Sequence, residues 1–404
     1  MYLWSSQDIE PLSEHEARQF LRHAARVRSL HVGTSKLFRL LANLSIEICV
    51  FPSLFSLFFM VDHPHAKYLR LFLSPTLRQC HLSVMHPDFK YIATHFTVLE
   101  HLSIELRPVD DSIADDLLLL YNSIRSCKKL ATLCCPPLDW AAWRHISNLP
   151  TLLTVEINEP CRAPPSHWPL GRDTHNFAPF CNLTGLFFYV DTAAYTIAII
   201  QHSELPSLQD FVMNVSVLPY TEAEQLCRAL SQCKADQNLK HIDITARGAK
   251  VGELSSSSLT VITQFFGFTQ LRTLQLEFPH CCFNLDNNLL LGAMTSWPHI
   301  CSLELLDIQT LPTVTFRGLF TALLQSESFQ HTTLESLKLT RSPVTDAEAV
   351  ARILFSMLPR IDQVLDQRVS VDSWNIDLYL QQWDEVNRHL DLLNGREPRN
   401  SEFE

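Results

Sequence analysis

Glycine is scarce in this chain, with nine in 404 residues. None stands in the G-x-x-x-x-G-K-[ST] or G-x-G-x-x-G spacing that lets backbone amides close on a phosphate, so nucleotide binding has no support. The G-x-S-x-G elbow of a serine nucleophile and the H-E-x-x-H pair of a zinc hydrolase are also missing. There is no block of Lys or Arg. The 32 basic and 43 acidic residues leave a net charge of −11, which disfavours nucleic acid and anionic membrane surfaces as partners. The opening MYLWSSQDIEPLSEHE lacks the cationic start and apolar centre of a signal peptide. The uncharged stretch 48–61, ICVFPSLFSLFFMV, is only 14 residues long and contains Pro52, whereas a membrane span takes about 20 apolar residues. It reads as a buried strand flanked by core.

Twelve cysteines and eighteen histidines invite a metal or disulfide reading, but their spacing argues against both. Cys134-Cys135 and His280-Cys281-Cys282 are adjacent, without the two to four intervening residues of a zinc knuckle, and neighbours on a strand point to opposite faces. Several other cysteines, Cys80 among them, fall where a small hydrophobe is needed. Buried free thiols in a reducing compartment follow, so the protein is expected in the cytoplasm or nucleus, with no cofactor and no metal. The carboxylate pairs Asp110-Asp111 and Asp115-Asp116 sit at a helix start, where negative charge favours the macrodipole. Asp139-Trp140 and the aromatics Trp143 and Trp168 lie near Pro-rich loops, CCPPLDWAAW and 159–173, and the second has the composition of an exposed loop inserted between two repeats.

What the chain does have is a recurring Leu-x-x-Leu-x-Leu. It reads Leu99, Leu102, Ile104; Leu271, Leu274, Leu276; and Leu334, Leu337, Leu339. Looser copies include Val27/Leu30/Val32, Leu54/Leu57/Phe59, Leu77/Cys80/Leu82, Leu130/Leu133/Cys135, Leu152/Val155/Ile157, Leu183/Leu186/Phe188, Leu208/Phe211/Met213, Leu239/Ile242/Ile244 and Ile300/Leu303/Leu305, with a degenerate Ile361/Val364. Between these runs the sequence turns to helical period. Capping boxes are expected at Ser13-Glu16, Thr221-Glu224 and Thr345-Glu348, with a weaker one at Ser112-Asp115. Alternating strand and helix require parallel strands. The predicted fold is therefore α/β, an irregular leucine-rich-repeat solenoid: a curved parallel sheet with helices on its convex side and helical caps at both ends. The Asn or Cys that usually follows the last leucine is replaced by Arg107, Pro160, Pro279 or Ser342, so the turns should be irregular. Residues 1–25 form an N-terminal segment and capping helix, 26–367 the repeats, and 368–404 a C-terminal capping helix and mobile tail.

In such strands the hydrophobes point inward and the residues alternating with them line the open face. That rule selects Glu105, Glu156, Phe187, Tyr189, Asp210, Asp243, Glu277 and Glu304 as partner-binding candidates, with Lys338 the one firmly basic residue among the outward positions. An acidic face with an aromatic patch suits a protein substrate or a basic peptide segment.

The chain also resembles the leucine-rich-repeat region of fungal F-box proteins, especially the divergent set of mushroom-forming fungi. The phrases that carry this are HEARQFLRHAARVRSLHV, FPSLFSLFF with KYLRLFLSPTLRQCHLSV, FTVLEHLSIEL, SCKKLATLCCPPLDWAAWRHISNLPTLLTVEI, TLESLKLTRSPVTDAEAVARILFSMLPRI and LQQWDEVNRHLDLL, spread over 14–393. The resemblance implies the substrate-recognition part of an SCF-type ubiquitin ligase, a non-enzymatic role. A Skp1-like adaptor would be a partner only if an upstream F-box exists, because too few residues precede Ser13 for one. The alternative is a repeat-only interaction scaffold unrelated to ubiquitination.

Overall fold

The structure is a computed structural model that describes residues 13–33, 38, 49–61, 63–83, 98–105, 113–159, 176–235, 238–248, 261–278, 287–306, 336–339, 347–357, 363–365 and 376–396. The backbone falls into two compact units, 1–183 and 184–404, that divide within the run of repeats. Unit 1 contains β1 (Ser29–Val32), β2 (Ser56–Phe59), β3 (Gln79–Leu82), β4 (His101–Ile104), β5 (Thr132–Cys135) and β6 (Thr154–Asn158). Unit 2 contains β7 (Gly185–Thr192), β8 (Asp210–Val217), β9 (His241–Gly248), β10 (Thr273–Glu277), β11 (Ser302–Leu306), β12 (Ser336–Leu339) and β13 (Gln363–Leu365). In each unit the strands are parallel and their spatial order is their sequence order. This is the α/β parallel-sheet solenoid that the leucine recurrence predicts, down to the degenerate last copy, where Val364 pairs in register with Leu337.

The packing explains the recurrence. Leu99, Leu102 and Ile104, like Leu271, Leu274 and Leu276, are buried, while the residues between them on the strands are half-exposed. One side of each strand is thus sealed. Burying a Leu or Ile side chain is worth about 1.5 to 3 kcal/mol, so the alternation sets the register of every strand. Cys80 and Cys135 take these inward places and are buried free thiols. Steps between register partners run from 22 residues (Gln79 to His101) to 34 (Ser302 to Ser336), and the crossovers absorb the difference.

Those crossovers carry α2 (Ile113–Ser126) and α3 (Trp140–Ser147) in unit 1, which pack on each other. In unit 2 they carry α4 (Ala194–Gln201), α5 (Tyr220–Gln232), α6 (Asn287–Ser296) and α7 (Ala347–Met357), with α4 against α5. Two 3-10 stretches, His63–Phe72 and Val261–Phe265, serve two other crossovers. Unit 1 opens with α1 (Glu14–Ala24), where Ser13 and Glu16 form the expected capping box: Ser13 N donates to Glu16 Oε2 (2.8 Å), and Ser13 Oγ accepts from Glu16 N (3.3 Å). Unit 2 ends with α8 (Ile376–Leu393), which buries Trp383, Val386 and Leu390 and packs on α7 and β13.

Two expectations change. Thr221 does not cap α5; the helix begins at Tyr220, two residues before the start a Thr221 cap would give, because Pro219 is the N-cap with φ −62° and ψ 150°, a ready helix-entering conformation. Trp140 and Trp143 are core residues rather than loop aromatics. Asp139 accepts from Ala142 N (2.7 Å) and starts α3, which turns both indoles inward, Trp140 4.9 Å from the Phe177 ring and Trp143 6.1 Å from that of Phe180. Ser112, Thr345, Asp110 and Asp111, most of the 159–173 loop, the His280-Cys281-Cys282 run and the positions of Arg107, Pro160, Pro279 and Ser342 lie outside the described residues.

A ladder does join the repeats, but ahead of the first leucine. Thr76 Oγ1 donates to Leu54 O (3.0 Å) and Thr151 Oγ1 to Leu130 O (2.8 Å). Asn182 Nδ2 reaches Pro150 O (2.7 Å), and Asn238 Nδ2 reaches Pro206 O (2.7 Å). Each donor stands one residue before a repeat's first hydrophobe and ties that turn to the turn before it. The backbone repeats the tie: Arg78 N and Gln79 N share Phe55 O, and Lys240 N and His241 N share Gln209 O. These bonds satisfy turn carbonyls that the strands leave open.

Candidate binding face

Parallel register converts the outward positions into rows that run across the strands, with neighbours in a row about 4.8 Å apart. In unit 2 one row runs Phe187, Val212, Asp243, Gln275, Glu304, and in register with it lies Lys338. The next row runs Tyr189, Asn214, Thr245, Glu277. The row before that of Phe187 holds Asp210 beside His241, with His241 Nε2 3.9 Å from Asp210 Oδ1. The structure therefore brings Phe187, Tyr189, Asp210, Asp243, Glu277 and Glu304 onto one face of unit 2. Tyr189 is 38% exposed, so its ring is available as a contact surface.

Charges on this face are held by neighbours. Thr245 Oγ1 donates to Asp243 Oδ1 (3.1 Å). Partial burial raises the Asp243 carboxyl above its usual range; the Thr245 hydrogen bond opposes this, and the charge of Glu304 adds to it. Asp191 accepts from Ser216 Oγ (2.8 Å) on the adjacent strand. The longer β9 adds an outward basic residue that sequence reasoning missed, Arg247 at its exposed end.

Glu105 and Glu156 belong to unit 1. The central outward row there is His31, Phe58, His81, Ser103, Cys134, Glu156. Asn158 Nδ2 donates both to Glu156 Oε1 (3.0 Å) and to Cys134 Sγ (3.2 Å). Glu105, just beyond β4, places Oε1 3.6 Å from His81 Nε2. The three rings at the start of the row went unread in the sequence. They lie on different repeats and become neighbours only through the register.

Cys134, flanked by Ser103 and Glu156, has the surroundings of a candidate nucleophile, but its environment opposes that role. Burial first, then the Glu156 charge, push its thiol up to about 11, so it stays protonated at neutral pH. Cys127 is pushed up to about 12 by burial. Among the described residues no group of three or more His, Cys, Asp and Glu side chains is placed to hold a metal ion. No described helix is long and apolar enough to cross a membrane. The arrangement offers recognition: carboxylates and rings at fixed spacing on a stiff sheet. In comparisons with protein-family models and with curated proteins, nothing matches this chain.

Proposed function

We propose that this chain is a non-enzymatic protein-binding solenoid that holds a basic segment of a partner protein on the open side of its sheet, as the substrate-recognition part of an SCF-type ubiquitin ligase. One observation carries the binding reading: the outward positions of β7–β11 bear Asp191, Asp210, Asp243, Glu277 and Glu304 against a single Arg247. A surface of one sign draws in a partner of the other sign and fixes its register. Phe187 and Tyr189 at one side of the same unit supply the aromatic contacts on which binding energy concentrates. The ligase role rests on the likeness of the repeat phrases to fungal F-box proteins.

The two parts separate experimentally. Co-expression of a Skp1-like adaptor with the chain extended by any in-frame sequence encoded upstream of Met1 should yield a co-purifying pair if the ligase role holds. Failure to co-purify removes that role and leaves a repeat-only scaffold. The binding part is tested by titrating the full chain with an Arg/Lys-rich peptide and its Asp/Glu-rich counterpart. Binding of the basic peptide alone, weakened by salt, is the expected result.

A further inference from the structure

The open side of unit 1 carries a column of rings that the acidic positions do not account for. His31, Phe58 and His81 share one register row on β1, β2 and β3. Their ring centroids are 4.4 Å and 4.2 Å apart, and the Phe58 and His81 planes lie within 9° of parallel. The next place in the row is Ser103, whose side chain is too small to cover an imidazole face and whose hydroxyl is hydrogen-bonded to Cys134 beyond it. Beside this place stands Glu105, with Oε1 3.6 Å from His81 Nε2, a buried nitrogen that has no hydrogen-bond partner among the described residues. No outward position of β1–β6 is Lys or Arg.

A flat π face with a carboxylate at its rim, on strands whose outward positions carry no Lys or Arg, matches one side chain best. Guanidinium is planar, stacks on ring faces and pairs with carboxylates through a rigid fork, whereas ammonium is a hydrated point charge that cannot stack. Burial favours the neutral form of His81, which leaves its ring without a charge to repel a cation.

We infer that the outer face of His81, above Ser103, receives the guanidinium of an arginine on the partner segment, stacked as a fourth plane on the His31, Phe58 and His81 column and paired with Glu105. The inference rests on the basic-segment reading above and adds which cation is selected and where it sits.

The test uses the full chain, the peptide acetyl-(Gly-Arg-Gly)3-amide and its lysine counterpart, with affinity from titration and histidine signals from carbon-edited NMR. The arginine peptide should bind about fivefold tighter than the lysine peptide, the gain of one desolvated stacking contact, and should move the His81 signals. Ser103→Leu, which covers the imidazole face, should erase the preference. His81→Ala, which removes the plane, should do the same, with thermal midpoints confirming that each variant folds. Glu105→Gln should weaken the arginine peptide by about threefold, as suits a half-exposed pair. Equal binding of the two peptides, or a preference that survives both Ser103→Leu and His81→Ala, overturns this site and leaves the basic-segment reading standing. Binding of neither peptide overturns both.

Discussion

The side-chain amide of Asn182 donates to the carbonyl of Pro150, 32 residues earlier, at 2.7 Å. The pair Asn238 and Pro206 repeats this geometry at the same separation. Asparagine at these turns therefore joins repeats rather than decorating the surface. Asn238→Ala should cost about 1 kcal/mol, the net worth of one hydrogen bond, read from the midpoint of urea unfolding. A change within error would show that the rung does not hold the turn.

Lys234 has φ 64°, in the left-handed region, just after the C-cap Cys233 of α5. Glycine takes that conformation without steric penalty. Lys234→Gly should therefore raise stability by up to about 1 kcal/mol, since the exposed ion pair to Glu204 lost with the lysine is worth little. Thermal unfolding of the two proteins decides it, and a lower midpoint for the variant would refute the strain.

The inward and outward rows should respond differently to truncation. Leu274 is fully buried and its neighbour Gln275 is half-exposed on the same strand. Leu274→Ala should cost about 2 to 5 kcal/mol, and Gln275→Ala about 0.5 kcal/mol or less, by denaturant unfolding. Similar costs at the two positions would contradict the assignment of faces.

His81 is held below the ordinary imidazole range chiefly by burial, with the His31 charge acting in the same direction and Glu105 opposing both. Its folded form prefers to be neutral, so its share of stability is present above the unfolded value of 6.5 and is lost as pH falls through the lowered folded value. Among the described residues, Phe58, His31, Ser103 and Glu105 are the groups around it. An NMR titration should place the His81 midpoint below 6.5, and Glu105→Gln should lower it further. A rise on that substitution would show that the carboxylate does not act on the ring.

The leucine recurrence made the strands and their phase legible because a period of two leaves no choice of face once one side is sealed. Even Val364 in the degenerate last copy falls in its strand. Helix starts were legible where a side chain does the capping, as at Ser13, and not where a proline's backbone does it, as at Pro219. The candidate face was half legible. Asp243, Glu277 and Glu304 follow from alternation alone, whereas the His31, Phe58 and His81 column needs the register between strands that are 23 to 27 residues apart in sequence. The inter-repeat ladder escaped notice because it precedes the first leucine of a repeat, where the sequence shows only scattered Thr and Asn. Trp140 and Trp143 were misplaced because neighbouring prolines suggested a loop, while Asp139 was starting a core helix.

The central claim, that the acidic outward rows capture a basic partner segment, is tested most directly by reversing them. In the variant Glu156→Lys, Asp243→Lys, Glu277→Lys and Glu304→Lys, all four side chains are partly exposed, so the fold should survive. Titrated with the same Arg/Lys-rich peptide, the wild-type chain should bind and the folded variant should not, with preference passing to the Asp/Glu-rich peptide. Undiminished binding of the basic peptide by the reversed protein would contradict the account.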